Sequence, residues 1–129
     1  MQATTEPAFM RLANLIILVS DLERSEKFYR DTLGLKETGR IEGEFVFFDA
    51  GGVALAIRAT GQALVPGDSE FSFEVPDIKS TYEALKSHIA FSRPPRAVTG
   101  NKTSDLYATD FRDPDGHLLS ITGWVAKPL

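Results

Sequence analysis

The chain carries one pattern twice, and that repeat limits its fold more than any other feature. The stretch LIILVSDLERSEKFYRDTLGL from Leu15 and the stretch FSFEVPDIKSTYEALKSHIAF from Phe71 align at an offset of 56. Val19 then meets Val75, Asp21 meets Asp77, Leu22 meets Ile78 and Ser25 meets Thr81. A second match follows in the same order, DAGGVALAI from Asp49 against DPDGHLLSI from Asp113, at an offset of 64. Two ordered matches with nearly equal offsets indicate a duplicated module, the second copy having eight more residues before its last hairpin.

Each copy reads as a strand, a helix and three strands. Leu12 to Val19 is a run of Leu, Ile and Val that fits a buried strand. Ser20 and Glu23 form a capping box and Gly34 a C-terminal stop, so we expect a helix from about Asp21 to Leu33. Its apolar face is Leu22, Ser25, Phe28, Tyr29, Thr32 and Leu33. Strands follow near Lys36 to Ile41, Glu44 to Phe48 and Val53 to Arg58, the last two joined by a turn at Asp49-Ala50-Gly51-Gly52. In the second copy, Glu70 to Val75 is the strand and Asp77 caps a helix reaching about His88. Pro94-Pro95 restricts the next strand to a short or edge position, and a hairpin turns at Asp113-Pro114-Asp115-Gly116. GQALVPGD, Gly61 to Asp68, is the natural linker.

Composition narrows the class. With 43% hydrophobic and 25% charged residues in 129, the chain suits one domain of common size rather than a disordered tail or a long array. The longest apolar run, Leu15 to Val19, is far short of the roughly 20 residues that span a bilayer, so no membrane partner is expected. The start, MQATTEPAF, lacks the basic and apolar regions of a signal peptide, and the expected location is cytoplasmic. There is no cysteine, which removes disulfides, thiolate nucleophiles and cysteine metal sites. A net charge of −4 without a basic run argues against nucleic acid as a partner.

VSDLERSEKFYRDTLGL followed by a hairpin, and FRDPDGH near the end, resemble the vicinal oxygen chelate (VOC) superfamily, the glyoxalase, bleomycin-resistance and ring-cleaving dioxygenase group. The resemblance covers about Leu12 to Thr122. It implies an α+β fold of two βαβββ modules, about 11–60 and 69–124 within a single domain of residues 1–129, forming a curled mixed sheet around a cavity. Phe28, Tyr29 and the DPDGH turn are read as scaffold, which identifies a fold and not a reaction.

Metal-using members of that superfamily carry ligands on the first and last strand of each module. Counting from Asp21, Asp77, Gly52 and Gly116 places those four positions at Asn14, Glu70, Ala56 and Ser120. Only Glu70 is a strong ligand, whereas a catalytic site needs about three. His88 and His117, the two histidines, fall outside the pattern, so we expect no metal and no other cofactor. An unrelated site around Glu70 and His117 is the metal-dependent alternative. The chain has no G-x-S-x-G elbow, P-loop or G-x-G-x-x-G.

Strand alternation sketches the cavity wall. Asn14, Ile16, Leu18, Ala54, Ala56, Arg58, Glu70, Ser72, Glu74, Leu118, Ser120 and Thr122 face inward, while Leu55, Ile57, Leu119 and Ile121 pack under the helices. Simple pairing sets Phe45 and Phe47 beside Ala56 and Ala54. In the second hairpin the same rule turns Asp110 against the helices, a costly place for a charge. A bulge shifting that register would bring Tyr107 or Phe111 to the wall. Trp124 lies just past the last strand, where packing of the tail is its simplest role.

Such a wall suits a partly planar organic molecule, neutral or cationic, better than a phosphate. The first expectation is a metal-free binding protein of the sequestration or resistance type. The second is a lyase or isomerase with Glu70 as general base. The third is a regulatory or immunity-type module with a vestigial cavity. The apolar inner faces also lead us to expect a homodimer.

Overall fold

The structure is a computed structural model in which residues 9, 11–65, 67 and 69–128 are described. The chain divides into two compact units, Met1–Gln62 and Ala63–Leu129. Within the expected linker, Pro66 and Asp68 lie outside the described residues.

The first unit runs β1 (Asn14–Val19), α1 (Leu22–Lys27), a π-helical turn (Phe28–Thr32), β2 (Glu37–Ile41), β3 (Phe45–Asp49) and β4 (Ala54–Ala59). Its four-stranded sheet has the order β1-β4-β3-β2, with β1 parallel to β4 and the other pairs antiparallel. The second unit repeats the plan: β5 (Glu70–Glu74), α2 (Ile78–Leu85), β6 (Arg96–Gly100), β7 (Ser104–Arg112) and β8 (Leu118–Ala126), ordered β5-β8-β7-β6 with β5 parallel to β8. The fold is thus α+β, with two similar βαβββ modules each built on its own open, mixed sheet. β6 follows Pro95 at a sheet edge, where a missing N–H does no harm.

The helix caps are equivalent at the offset of 56. The Arg24 N–H donates to Asp21 Oδ1 at 3.0 Å and the Ser80 N–H to Asp77 Oδ1 at 3.1 Å. The expected Ser20–Glu23 capping box is therefore corrected. Asp21 is the cap, and the Ser20 hydroxyl instead accepts a hydrogen bond from the Arg24 guanidinium at 2.9 Å. A charged carboxylate one residue closer to the helix is the stronger acceptor. The first helix also widens after Lys27, where the Leu33 N–H bonds to the carbonyl of Phe28, five residues back, at 2.9 Å. It ends at Gly34 with φ +77°, a conformation glycine takes without strain.

Each helix covers one face of its sheet. In the first unit Ser25 and Tyr29 are buried with Ile17, Val19, Val46, Phe48, Leu55 and Ile57, and the Tyr29 and Phe48 rings lie 6.2 Å apart. In the second, Ile78 and Ile89 join Phe111, Leu119 and Ile121. The Phe91 ring bridges Tyr82 (5.0 Å) and Phe111 (5.3 Å, edge to face). Among the described residues, the other face of each sheet carries no helix of its own unit.

Candidate functional site

Strand register decides which side chains stand on each open face. In the first unit β1 pairs Asn14 with Ala54, Ile16 with Ala56 and Leu18 with Arg58. β3 pairs Phe45 with Arg58, Phe47 with Ala56 and Asp49 with Ala54. Phe45 and Phe47 thus share the open face with Ala54 and Ala56, but their partners differ from the simple pairing by two residues. The connection runs from Ala50 to Val53, closed by Ala50 N–H to the Val53 carbonyl at 2.9 Å. The two rings stack at 5.5 Å and 11°, and the Arg58 guanidinium sits 5.5 Å from the Phe45 centroid. Ile16 and Leu18 remain 53% and 40% exposed, so this face is apolar, aromatic and uncovered by its own unit. Asn14 lines a groove of about 320 Å³ at one end of the sheet, with Arg11, Thr38, Asp49 and Ala54.

The second open face differs chemically. β5 pairs Glu70 with Leu118, Ser72 with Ser120 and Glu74 with Thr122. β7 pairs Asp110 with Ser120, Ala108 with Thr122 and Leu106 with Trp124. Asp110 therefore stands on the open face beside Ser120, and the β7–β8 ladder runs without a bulge. Tyr107 pairs with Gly123 and Phe111 with Leu119, which turns both rings to the helix side. Phe111 is buried there, and the Lys79 ammonium lies 5.1 Å from the Tyr107 centroid. The expectation that Tyr107 or Phe111 lines the cavity is corrected accordingly.

The cause is one residue of loop. The Asp113 N–H bonds to the His117 carbonyl at 3.0 Å, so five residues, Asp113 to His117, separate Arg112 from Leu118. The Asp113 carboxylate fastens this loop by accepting the N–H groups of Asp115 (3.0 Å) and His117 (2.8 Å), while Gly116 takes φ +90°. A one-residue change in a hairpin loop moves every side chain of a strand to the opposite face. Trp124 is likewise placed within β8, 49% exposed on the open face, rather than in a tail beyond it.

A pocket of about 180 Å³ opens on this second face. Glu70, Asp110, Ser120, Arg93 and Arg96 line it. The sequence reading had named Glu70 and Ser120. It missed Asp110 through the register, and it missed Arg93 and Arg96 because nothing in the sequence ties the Pro94-Pro95 segment to the sheet. Two hydrogen bonds make that tie, Ser92 N–H to the Asp110 carbonyl (2.9 Å) and Thr109 Oγ1 to the Arg93 carbonyl (2.5 Å). His117 lies in the β7–β8 loop and is not among the lining residues.

The sequence profile of the Glyoxalase/Bleomycin resistance protein/Dioxygenase superfamily matches residues 11–121. The chain belongs to that superfamily. A curated relative in the comparison, the uncharacterized protein YraH of Bacillus subtilis, is 30% identical over 126 residues, covering 87% of this chain and 97% of YraH. A glyoxalase/bleomycin resistance protein/dioxygenase from Nocardioides has the same fold, with a TM-score of 0.73 at 23% identity over 95% of this chain and 87% of that one. A lactoylglutathione lyase from Agrobacterium tumefaciens matches with a TM-score of 0.64 at 22% identity, covering 91% of this chain and 96% of that chain. At these identities the two solved structures speak for the fold alone.

The superfamily includes metal enzymes, and the four ligand positions of this member can be tested by their chemistry. Asn14 offers a neutral amide, Ala56 no side-chain donor, Ser120 a neutral hydroxyl and Glu70 a single carboxylate. Asp110 adds a second carboxylate beside Ser120, but among the described residues no three His, Cys, Asp or Glu side chains gather as a ligand set. This donor set does not fit a catalytic divalent metal. What the superfamily member does present is an aromatic, apolar surface on its first unit and a pocket lined by two carboxylates, two guanidiniums and a hydroxyl on its second.

Proposed function

We propose that the protein binds a small organic molecule without a metal, as a sequestration or resistance type member of the superfamily. The observation that carries this reading is the content of the four ligand positions, Asn14, Ala56, Glu70 and Ser120, together with the stacked Phe45–Phe47 pair beside Ala56. Stacked rings over small residues accept a flat ring, and each aromatic contact adds roughly 0.5–1.5 kcal/mol beyond its burial. The residues proposed to face a ligand are Asn14, Ile16, Leu18, Phe45, Phe47, Ala54, Ala56 and Arg58 on the first unit, and separately Glu70, Ser72, Leu118 and Ser120 on the second, with Asp110 in place of Tyr107. The test is a thermal-shift and calorimetric screen of planar organic compounds, dyes and drugs among them, with and without chelator. Binding that survives chelation and weakens in Phe47→Ala is expected. Near-stoichiometric divalent metal in the native protein, with an activity that chelation abolishes, would overturn the reading.

A second reading, a lyase or isomerase, draws support from the pocket that gathers Glu70, Asp110 and Ser120. Two carboxylates can divide the roles of general base and general acid, Glu70 taking the proton. Turnover of an oxo- or hydroxy-acid that disappears in Glu70→Gln favours this reading, and tight binding without turnover favours the first. We further propose a homodimer, because Ile16, Leu18 and Ile41 leave an apolar face that a partner copy would cover.

A further inference from the structure

The second unit's pocket has an unusual charge pattern. Its strand order, β5-β8-β7-β6, places Glu70 on one edge strand and Arg96 on the other, with Ser120 and Asp110 on the strands between. Arg93 stands just before β6, in a segment held to β7 by the Thr109–Arg93 and Ser92–Asp110 hydrogen bonds. Negative charge therefore gathers toward β5 and the sheet centre, and positive charge toward β6.

The four charges do not neutralise one another by contact. Among the described residues, no ion pair within 4.0 Å joins Glu70 or Asp110 to Arg93 or Arg96. Elsewhere the protein pairs its arginines readily: Arg30 reaches Glu26, Asp31 and Glu37, and Arg40 reaches Glu26, Glu37 and Glu42. Two acids and two bases lining one small pocket without pairing leave both signs available to a guest. At about 180 Å³ and open to solvent, the pocket has room for an ammonium and a carboxylate on a few carbons.

We propose that this pocket takes the zwitterionic head of a small amphoteric molecule, an amino acid or amino-acid-like compound. The ammonium group faces Glu70 and Asp110, and the carboxylate faces Arg93 and Arg96. Ser120, flanked on its strand neighbours by Ser72 and Asp110, supplies a neutral hydroxyl at the middle. The inference rests on the metal-free binding reading and deepens it by naming the ligand class. Charge-assisted hydrogen bonds at both ends are the source of selectivity, and fastening the Arg93 segment beforehand lowers the ordering cost of binding.

The test is a matched series sharing one ring and differing only in charge: L-phenylalanine, phenethylamine, 3-phenylpropionate and 2-phenylethanol, titrated calorimetrically. L-phenylalanine is expected to bind about tenfold more tightly than each of the others. Glu70→Gln with Asp110→Asn should erase its advantage over 3-phenylpropionate, and Arg93→Gln with Arg96→Gln its advantage over phenethylamine. Arg93→Gln leaves the bond to the Arg93 carbonyl in place, and the single variants Asp110→Asn and Arg96→Gln serve where a double variant fails to fold. Phenethylamine or 2-phenylethanol binding as tightly as L-phenylalanine, or variants that change nothing, overturns the inference while leaving small-molecule binding intact. No binding by any of the four also overturns it, and the planar-compound screen then judges the broader reading alone.

Discussion

Asp110 and Phe111 are neighbours on β7 with opposite fates, and replacing each by alanine tests the register that builds the site. Phe111 is 2% exposed, packed edge to face on Phe91 beneath α2. Removing its ring returns roughly 150 Å² of apolar burial, worth about 4 kcal/mol at about 25 cal/mol per Å². Measured core Phe→Ala losses of about 3–5 kcal/mol bracket that figure. Asp110 stands on the open face, so Asp110→Ala should change stability by no more than about 0.5 kcal/mol. Urea unfolding followed by circular dichroism reads both, as a fall in midpoint at constant slope. Because a domain holds only about 5–15 kcal/mol, Phe111→Leu should be measured beside Phe111→Ala to keep the baseline folded. A four-residue loop would exchange the two residues between faces. Asp110→Ala costing as much as Phe111→Ala, or Phe111→Ala costing under about 1 kcal/mol, would refute the five-residue loop and with it the carboxylate pair in the pocket.

Three further outcomes follow from the packing and the charges. A Cβ at residue 123 would stand 3.0 Å from Ile78 Cβ and 3.1 Å from the Val75 carbonyl oxygen, so Gly123→Ala should cost about 1–3 kcal/mol in the same assay. Glu26, 12% exposed between Arg30 and Arg40, fastens the edge strand β2 to the helix. Glu26→Gln should lose about 1 kcal/mol in low salt and less at 1 M NaCl, and a salt-independent loss would refute an electrostatic origin. The Asp77 carboxyl is held below its ordinary value, first by the Ser80 N–H and then by the Ser80 side chain. Its contribution is present above the unfolded value and lost as pH falls through the lowered folded one. The melting-temperature gap between the protein and Asp77→Ala should therefore close below about pH 4, and a gap constant with pH would refute the cap.

Much of the fold was legible because its signals are local. Asp77, Gly34 and the alternation in β1, β3, β4 and β8 each act within a few residues, so element order and helix faces followed from them, whereas the first helix was read from a box at Ser20 and is capped by Asp21. The site was less legible because it depends on counts across loops. DPDG looks like a complete tight turn, yet Asp113 folds its carboxylate over the N–H groups of both Asp115 and His117, which adds a residue and reverses the face of β7. In the first hairpin the same kind of miscount was even, so Phe45 and Phe47 kept their face and only changed partners. Arg93 and Arg96 reach the pocket through hydrogen bonds from Ser92 and Thr109, which no periodicity announces.

The registers also show where the two copies have diverged. On the helix side Leu15, Ile17, Phe48, Leu55 and Ile57 correspond to Phe71, Phe73, Phe111, Leu119 and Ile121, all apolar. The exception is Val46 against Thr109, whose hydroxyl is satisfied by the Arg93 carbonyl. On the open side Asn14, Ile16, Leu18, Phe47 and Ala56 correspond to Glu70, Ser72, Glu74, Asp110 and Ser120, while Phe45 meets Ala108, Ala54 meets Leu118, Arg58 meets Thr122 and Asp49 meets Arg112. The first five of those pairs exchange a neutral or apolar group for a more polar one, and Asp49 to Arg112 reverses a charge. A helix-covered face cannot accept such changes, because each buried polar group would need a new partner or cost about 1–3 kcal/mol. An open face can. Stability therefore explains the likeness of the helix sides, and the tolerance of an exposed face explains how the open sides came to differ, one aromatic and one of mixed charge.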